Sequence, residues 1–112
     1  MTVATTDEGD VAVVAVEGRV GHVSAPRLDA ALQEVVARGT RKVAIDLEAV
    51  DYLSSAGLLA LDNMARRLEA LNGRLAVCAS GGPVLLALQL AGWSDRGAIA
   101  ATRAEAVRRL GS

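Results

Sequence analysis

Aromatic side chains are nearly absent from this 112-residue chain, which has no phenylalanine, one tyrosine (Tyr52) and one tryptophan (Trp93). A nucleobase-stacking surface needs several such rings. The charge balance of 12 Lys plus Arg against 13 Asp plus Glu, net -1, gives no overall basic field for a nucleic-acid backbone or an anionic bilayer. Arg66, Arg67 and Arg74 then read as helix-surface arginines, and no nucleic-acid partner is expected. The single cysteine, Cys78 in "RLAVCAS", excludes an internal disulfide and a cysteine-based metal cluster, and it fits a reducing compartment. The single histidine, His22 in "VGHVS", has no second imidazole or cysteine at ligand spacing, so it reads as a loop histidine without catalytic work.

Other signatures are missing too. There is no GxGxxG, and no Gly-Lys-Ser/Thr run follows the glycines of "SGGP", so that segment reads as a turn and helix start rather than a phosphate cradle. No apolar run approaches the roughly 18 residues of a membrane span. The opening "MTVATTDEGD" lacks the basic and apolar regions of a signal peptide. The expectations are a cytoplasmic location, no direct membrane insertion, and no metal or other cofactor.

What the chain does have is apolar residues, 52% of the total, in short runs that alternate between two periodicities. That suits one domain over residues 1–112 with a continuous core. "VATT" and "VAVVAVEG" flank a turn-forming "DEGD", predicting an opening hairpin and hence a mixed sheet. In "SAPRLDAALQEVVARG", Ser24 can cap a helix that carries Pro26 in its first turn and Leu28, Leu32 and Val35 on its inner face, with Gly39 as its stop. "KVAIDL" predicts a buried strand. A second helix follows with Leu58, Leu61, Ala65 and Leu68 inside and Asp62, Asn63, Arg66 and Arg67 outside. "RLAVCA", "VLLALQLAG", a strand near "AIAA" and "RAEAVRRLG" complete the order ββ, αβ three times, then α.

Asp46, Glu48 and Asp51 specify no metal geometry on their own and read as solvated loop charges. The hydroxyls of "DYLSSAGLLAL" differ because they sit where a strand gives way to a helix. Ser54 is the natural N-cap. Ser55 then falls in the first turn, where free N–H groups and the helix dipole favour a negative group such as phosphate.

These same residues carry a resemblance. "VAIDLEAVDYLSSAGLLAL" resembles the central segment of STAS domains of the bacterial anti-sigma factor antagonist family, "VEGRVGHVSAPRLDAAL" its first strand, loop and helix, and "GGPVLLALQLAGWSD" its third helix. The resemblance implies a single STAS-like α/β domain, a mixed β-sheet with helices packed on one side, and no catalytic activity. It also implies an anti-sigma factor with serine kinase activity as partner, a phosphatase that reverses the modification, and Ser55, aligned through Gly57, as the phosphorylated residue. The implied partner-binding face joins His22, Ser54, Ser55, Ala56, Leu59 and Asn63, with packed core as the alternative place for Leu59. Two positions depart from the family, Gly21 and Ser54, where relatives often carry aspartate. The alternative function is a non-phosphorylated STAS scaffold or transport-accessory protein.

Overall fold

A computed structural model describes residues 1–111; the expected domain end at Ser112 lies outside them. The element order is β1 (Thr2–Glu8), β2 (Val11–Val20), α1 (Ala25–Ala37), β3 (Lys42–Leu53), α2 (Ser55–Ala70), β4 (Arg74–Cys78), α3 (Gly82–Leu90), β5 (Ile99–Ala100) and α4 (Arg103–Gly111). The strands form one mixed sheet in the order β1-β2-β3-β4-β5. Only β1 runs antiparallel to its neighbour; the other pairs are parallel. Glu8 pairs with Val11, which leaves a two-residue turn at Gly9 and Asp10. Gly9 has φ +64°, a left-handed conformation that costs a glycine little.

The helices do not all lie on one side. Ala12, Val14 and Val16 of β2, Val43, Ile45 and Leu47 of β3, and Val77 of β4 share a core with α1, α2 and α3. The alternate residues Val11, Val13, Ala44, Ala76 and Cys78 pack with Ala106 and Leu110 of α4 on the opposite face. The expected one-sided packing therefore holds for three helices, and α4 covers the back. The physical reason is in the strands: central parallel strands that are apolar at successive positions must be covered on both faces.

Three local details also differ from expectation. β3 is twice as long as "KVAIDL" and runs on through "EAVDYL" to Leu53, because β2 continues to pair with it as far as Val20↔Leu53. Ser24 occupies the N-cap position of α1 without a side-chain capping bond; instead its Oγ accepts from the Gly21 N–H at 2.9 Å and closes the preceding loop. The buried stripe of α2 is Gly57, Ala60, Leu61, Met64 and Leu68, with Leu58 and Ala65 only partly covered.

Asp46 is no solvated charge. It is 9% exposed, takes Arg103 of α4 onto Oδ2 at 2.8 Å and accepts the Glu48 N–H on Oδ1 at 3.0 Å. A carboxylate this buried needs both partners, and the pair ties α4 to β3.

Cys78 lies beside Asp46 in the register. Burial, followed by the charges of Asp46 and Glu48, pushes its thiol up from 9.0 to about 12. Between those values the unfolded chain releases a proton that the folded chain keeps, so this contribution is fully present below about pH 9 and is lost as pH rises towards 12. Denaturant midpoints are expected to fall between about pH 8 and about pH 10, and to fall less in Cys78→Ala. Equal falls in both proteins would remove Cys78 as the cause.

Candidate functional site

Val20 and Leu53 end neighbouring parallel strands in register, so the segments that follow them emerge side by side. The first is the loop Gly21–Ser24, tightened by the Ala25 N–H donating to the Gly21 carbonyl at 3.0 Å. The second is the start of α2. The Ser54 N–H donates to the Val20 carbonyl at 2.9 Å, stitching the two together.

Ser54 and Ser55 have opposite surroundings. Ser54 is 8% exposed, has an extended backbone, and its Oγ accepts from the Gly57 N–H at 3.1 Å while its carbonyl accepts from Leu58 at 2.9 Å. It is the N-cap, turned into the helix start rather than outward. Ser55 opens the first turn and is exposed. One hydroxyl is committed to holding the helix, and the next is presented to solvent at its positive end.

The other expected site residues meet across the gap between α1 and α2. His22, Ala56, Leu59 and Asn63, together with Ala25 and Pro26, line an open groove of about 340 Å³. Leu59 is 55% exposed, so it is a surface ridge and not core. Its other flank lines a second depression, with Ser55, Leu58, Asp62, Ala91 and Trp93. Ser55 and His22 thus lie on either side of the Leu59 ridge.

A profile of the STAS domain family matches residues 2–106. The chain belongs to the STAS domain family. This STAS domain superposes on the crystal structure of an anti-sigma factor antagonist from Mycobacterium paratuberculosis with a TM-score of 0.92 and 30% identity, covering 99% of this chain and 94% of that one. It is 40% identical over 58 residues to the anti-sigma-F factor antagonist RsfB of Mycobacterium tuberculosis, which is 52% of this chain and 48% of RsfB. It is 37% identical over 75 residues to BtrV of Bordetella bronchiseptica, provisionally named an anti-sigma factor antagonist, which is 66% of this chain and 65% of BtrV. The matched stretch therefore spans about half of RsfB and just under two thirds of BtrV.

Among the described residues of the STAS domain, no helix is long and apolar enough to cross a membrane, and no cluster of His, Cys, Asp and Glu has the makings of a metal site.

Several surface features beside the site escape a reading by periodicity. Val23 is 90% exposed at the loop apex. The Arg19 guanidinium stacks over the Tyr52 ring at 3.9 Å, joining the ends of β2 and β3. A third depression, lined by Arg19, Gly21, His22, Val23, Ser24 and Arg27, adjoins the groove through His22. An apolar residue beside a histidine in a glycine-flanked loop, "GHVS", is the one sequence signal that could have marked it, since such a loop has no core to face.

Proposed function

We propose that this STAS domain is an anti-sigma factor antagonist, a regulator rather than an enzyme, that works as a phosphorylation-controlled partner switch. Unmodified, it binds an anti-sigma factor with serine kinase activity. Phosphorylated on Ser55, it lets that partner go until a phosphatase restores the hydroxyl. The observation that carries this reading is the division of labour between adjacent serines: Ser54 is buried as the cap, and Ser55 is exposed beside the Leu59 ridge.

The names of the relatives support the antagonist part of the reading. The chemistry supports the switch. A phosphoserine brings about -1.5 to -2 charges and three acceptor oxygens. At the first turn of α2 these meet free N–H groups and the positive end of the dipole, so the helix tolerates them. A partner seated on Leu59 meets them as a charge that must be desolvated, which favours release.

Ser55 is expected to be the principal phosphoacceptor. The check is incubation with the cognate kinase and ATP, followed by phosphosite mapping by mass spectrometry. Stoichiometric phosphate on Ser54 with Ser55 untouched would reverse the assignment. A chain that binds the kinase but is modified on neither serine would favour the scaffold alternative.

A further inference from the structure

We infer that the cleft beside His22 receives an acidic segment of the partner protein, and that the carboxylates of this segment make Ser55 phosphorylation repulsive. The inference rests on the partner-switch reading for the partner's identity. The cleft itself rests on geometry and charge.

Arg19 and Arg27 line the cleft with His22, and no carboxylate residue shares its lining. The adjoining groove carries one, Asp29, so the segment's acid groups belong at the arginine end and its apolar groups towards the groove. Among the described residues neither arginine makes an ion pair. The Arg19 guanidinium lies on Tyr52, and Arg27 Nη2 reaches only the Met1 carbonyl at 3.5 Å. Arg38, Arg66, Arg96, Arg103 and Arg109 each have a carboxylate within the chain; what sets Arg19 and Arg27 apart is that they line one cleft together. Two arginines that line one cleft without an ion-pair partner give it a local positive field in a chain of net charge -1.

The surroundings point to a protein segment rather than a nucleic acid or a free anion. Val23, 90% exposed, stands on the rim, and the cleft runs through His22 into the groove walled by Leu59, 55% exposed. A phosphodiester backbone would leave both apolar residues unused, and the nearby aromatic face, Tyr52, is already covered by Arg19. A peptide carrying carboxylates and one or two apolar side chains uses all of them: acid groups on Arg19 and Arg27, apolar groups on Val23 and Leu59. Ser55 lies on the other flank of the same Leu59 ridge, so the segment drawn in by the arginines is opposed by a phosphate on that flank.

Two probes test this on the full isotope-labelled chain by amide chemical-shift titration: the capped peptide LEDLEEL and its lysine counterpart LKKLKKL. The acidic peptide alone is expected to shift residues 19–27 and Leu59. Its binding should weaken at least tenfold in R19E/R27E and on Ser55 phosphorylation, fade as salt screens the charges, and persist in R108E, whose residue lies on α4 behind the sheet. Equal shifts from both peptides, no localised shifts, or unchanged binding to R19E/R27E would overturn the proposal. A DNA oligonucleotide or inorganic phosphate that moves these resonances where the peptide does not would overturn it in favour of that ligand. A kinase that modifies Ser55 but binds R19E/R27E as tightly as the native chain leaves the switch standing and removes the acidic segment. A peptide seated in the cleft of a chain that no serine kinase modifies removes the switch and leaves the cleft.

Discussion

Ser55→Asp is expected to weaken binding of the verified kinase partner by at least about tenfold, equivalent to ~1.4 kcal/mol, while leaving the domain as stable as the native chain or slightly more so. The carboxylate falls in the first turn of α2, where the dipole favours a negative group by about 0.3–1 kcal/mol. The same charge faces whatever sits on the Leu59 ridge, and like-charge contact across an interface costs several kcal/mol. Ser54→Ala should show the reverse. It removes the Oγ that accepts from the Gly57 N–H, and the loss of such a cap costs about 0.5–2 kcal/mol. Its affinity, measured where it remains folded, should stay close to native. Denaturant melts and titrations of both variants separate the two roles; severe destabilisation by Ser55→Asp would contradict the charge-switch mechanism.

Gly57→Val should cost about 1–3 kcal/mol of stability through overpacking and disturb the site together with the fold. A Cβ at Gly57 would stand 2.7 Å from Leu53 Cδ1 and 2.9 Å from Val20 Cγ1. Both neighbours are buried at the ends of β3 and β2, 8% and 0% exposed, so neither has open space to move into. The release of glycine's backbone entropy returns at most about 1 kcal/mol. The first turn of α2 must therefore lift from the strand ends, taking Ser55 and Leu59 with it. Urea unfolding measures the loss, and amide exchange at position 57 and at Leu58 locates it. A variant of native stability with native protection would show that this close approach does not set the helix's position.

The element order is legible in the sequence because its periodicities are clean: Leu28, Leu32 and Val35 recur at helical spacing, and the β2 run is apolar at alternate positions facing each core. The capping role expected for Ser54 is legible from local chemistry alone, since a serine before an apolar helical stripe has a definite partner three residues on. Side-chain pairings between distant segments are not. The Asp46–Arg103 ion pair joins residues 57 positions apart, and no local pattern announces it; the acidic residues around Asp46 suggest a solvated loop because sequence spacing carries no depth. The packing of α4 behind the sheet is hidden for a related reason. A strand apolar at every position demands cover on both faces, but it does not say which helix supplies the second cover. The cleft of Arg19 and Arg27 depends on which arginines lack a carboxylate, and that is decided by tertiary neighbours.

The most direct test of the switch is a calorimetric titration of the cognate serine kinase into two samples of the same chain, one unmodified and one phosphorylated stoichiometrically on Ser55. The account expects saturable binding to the first and at least about 100-fold weaker binding to the second, ~2.7 kcal/mol. Equal affinities for the two samples would contradict it.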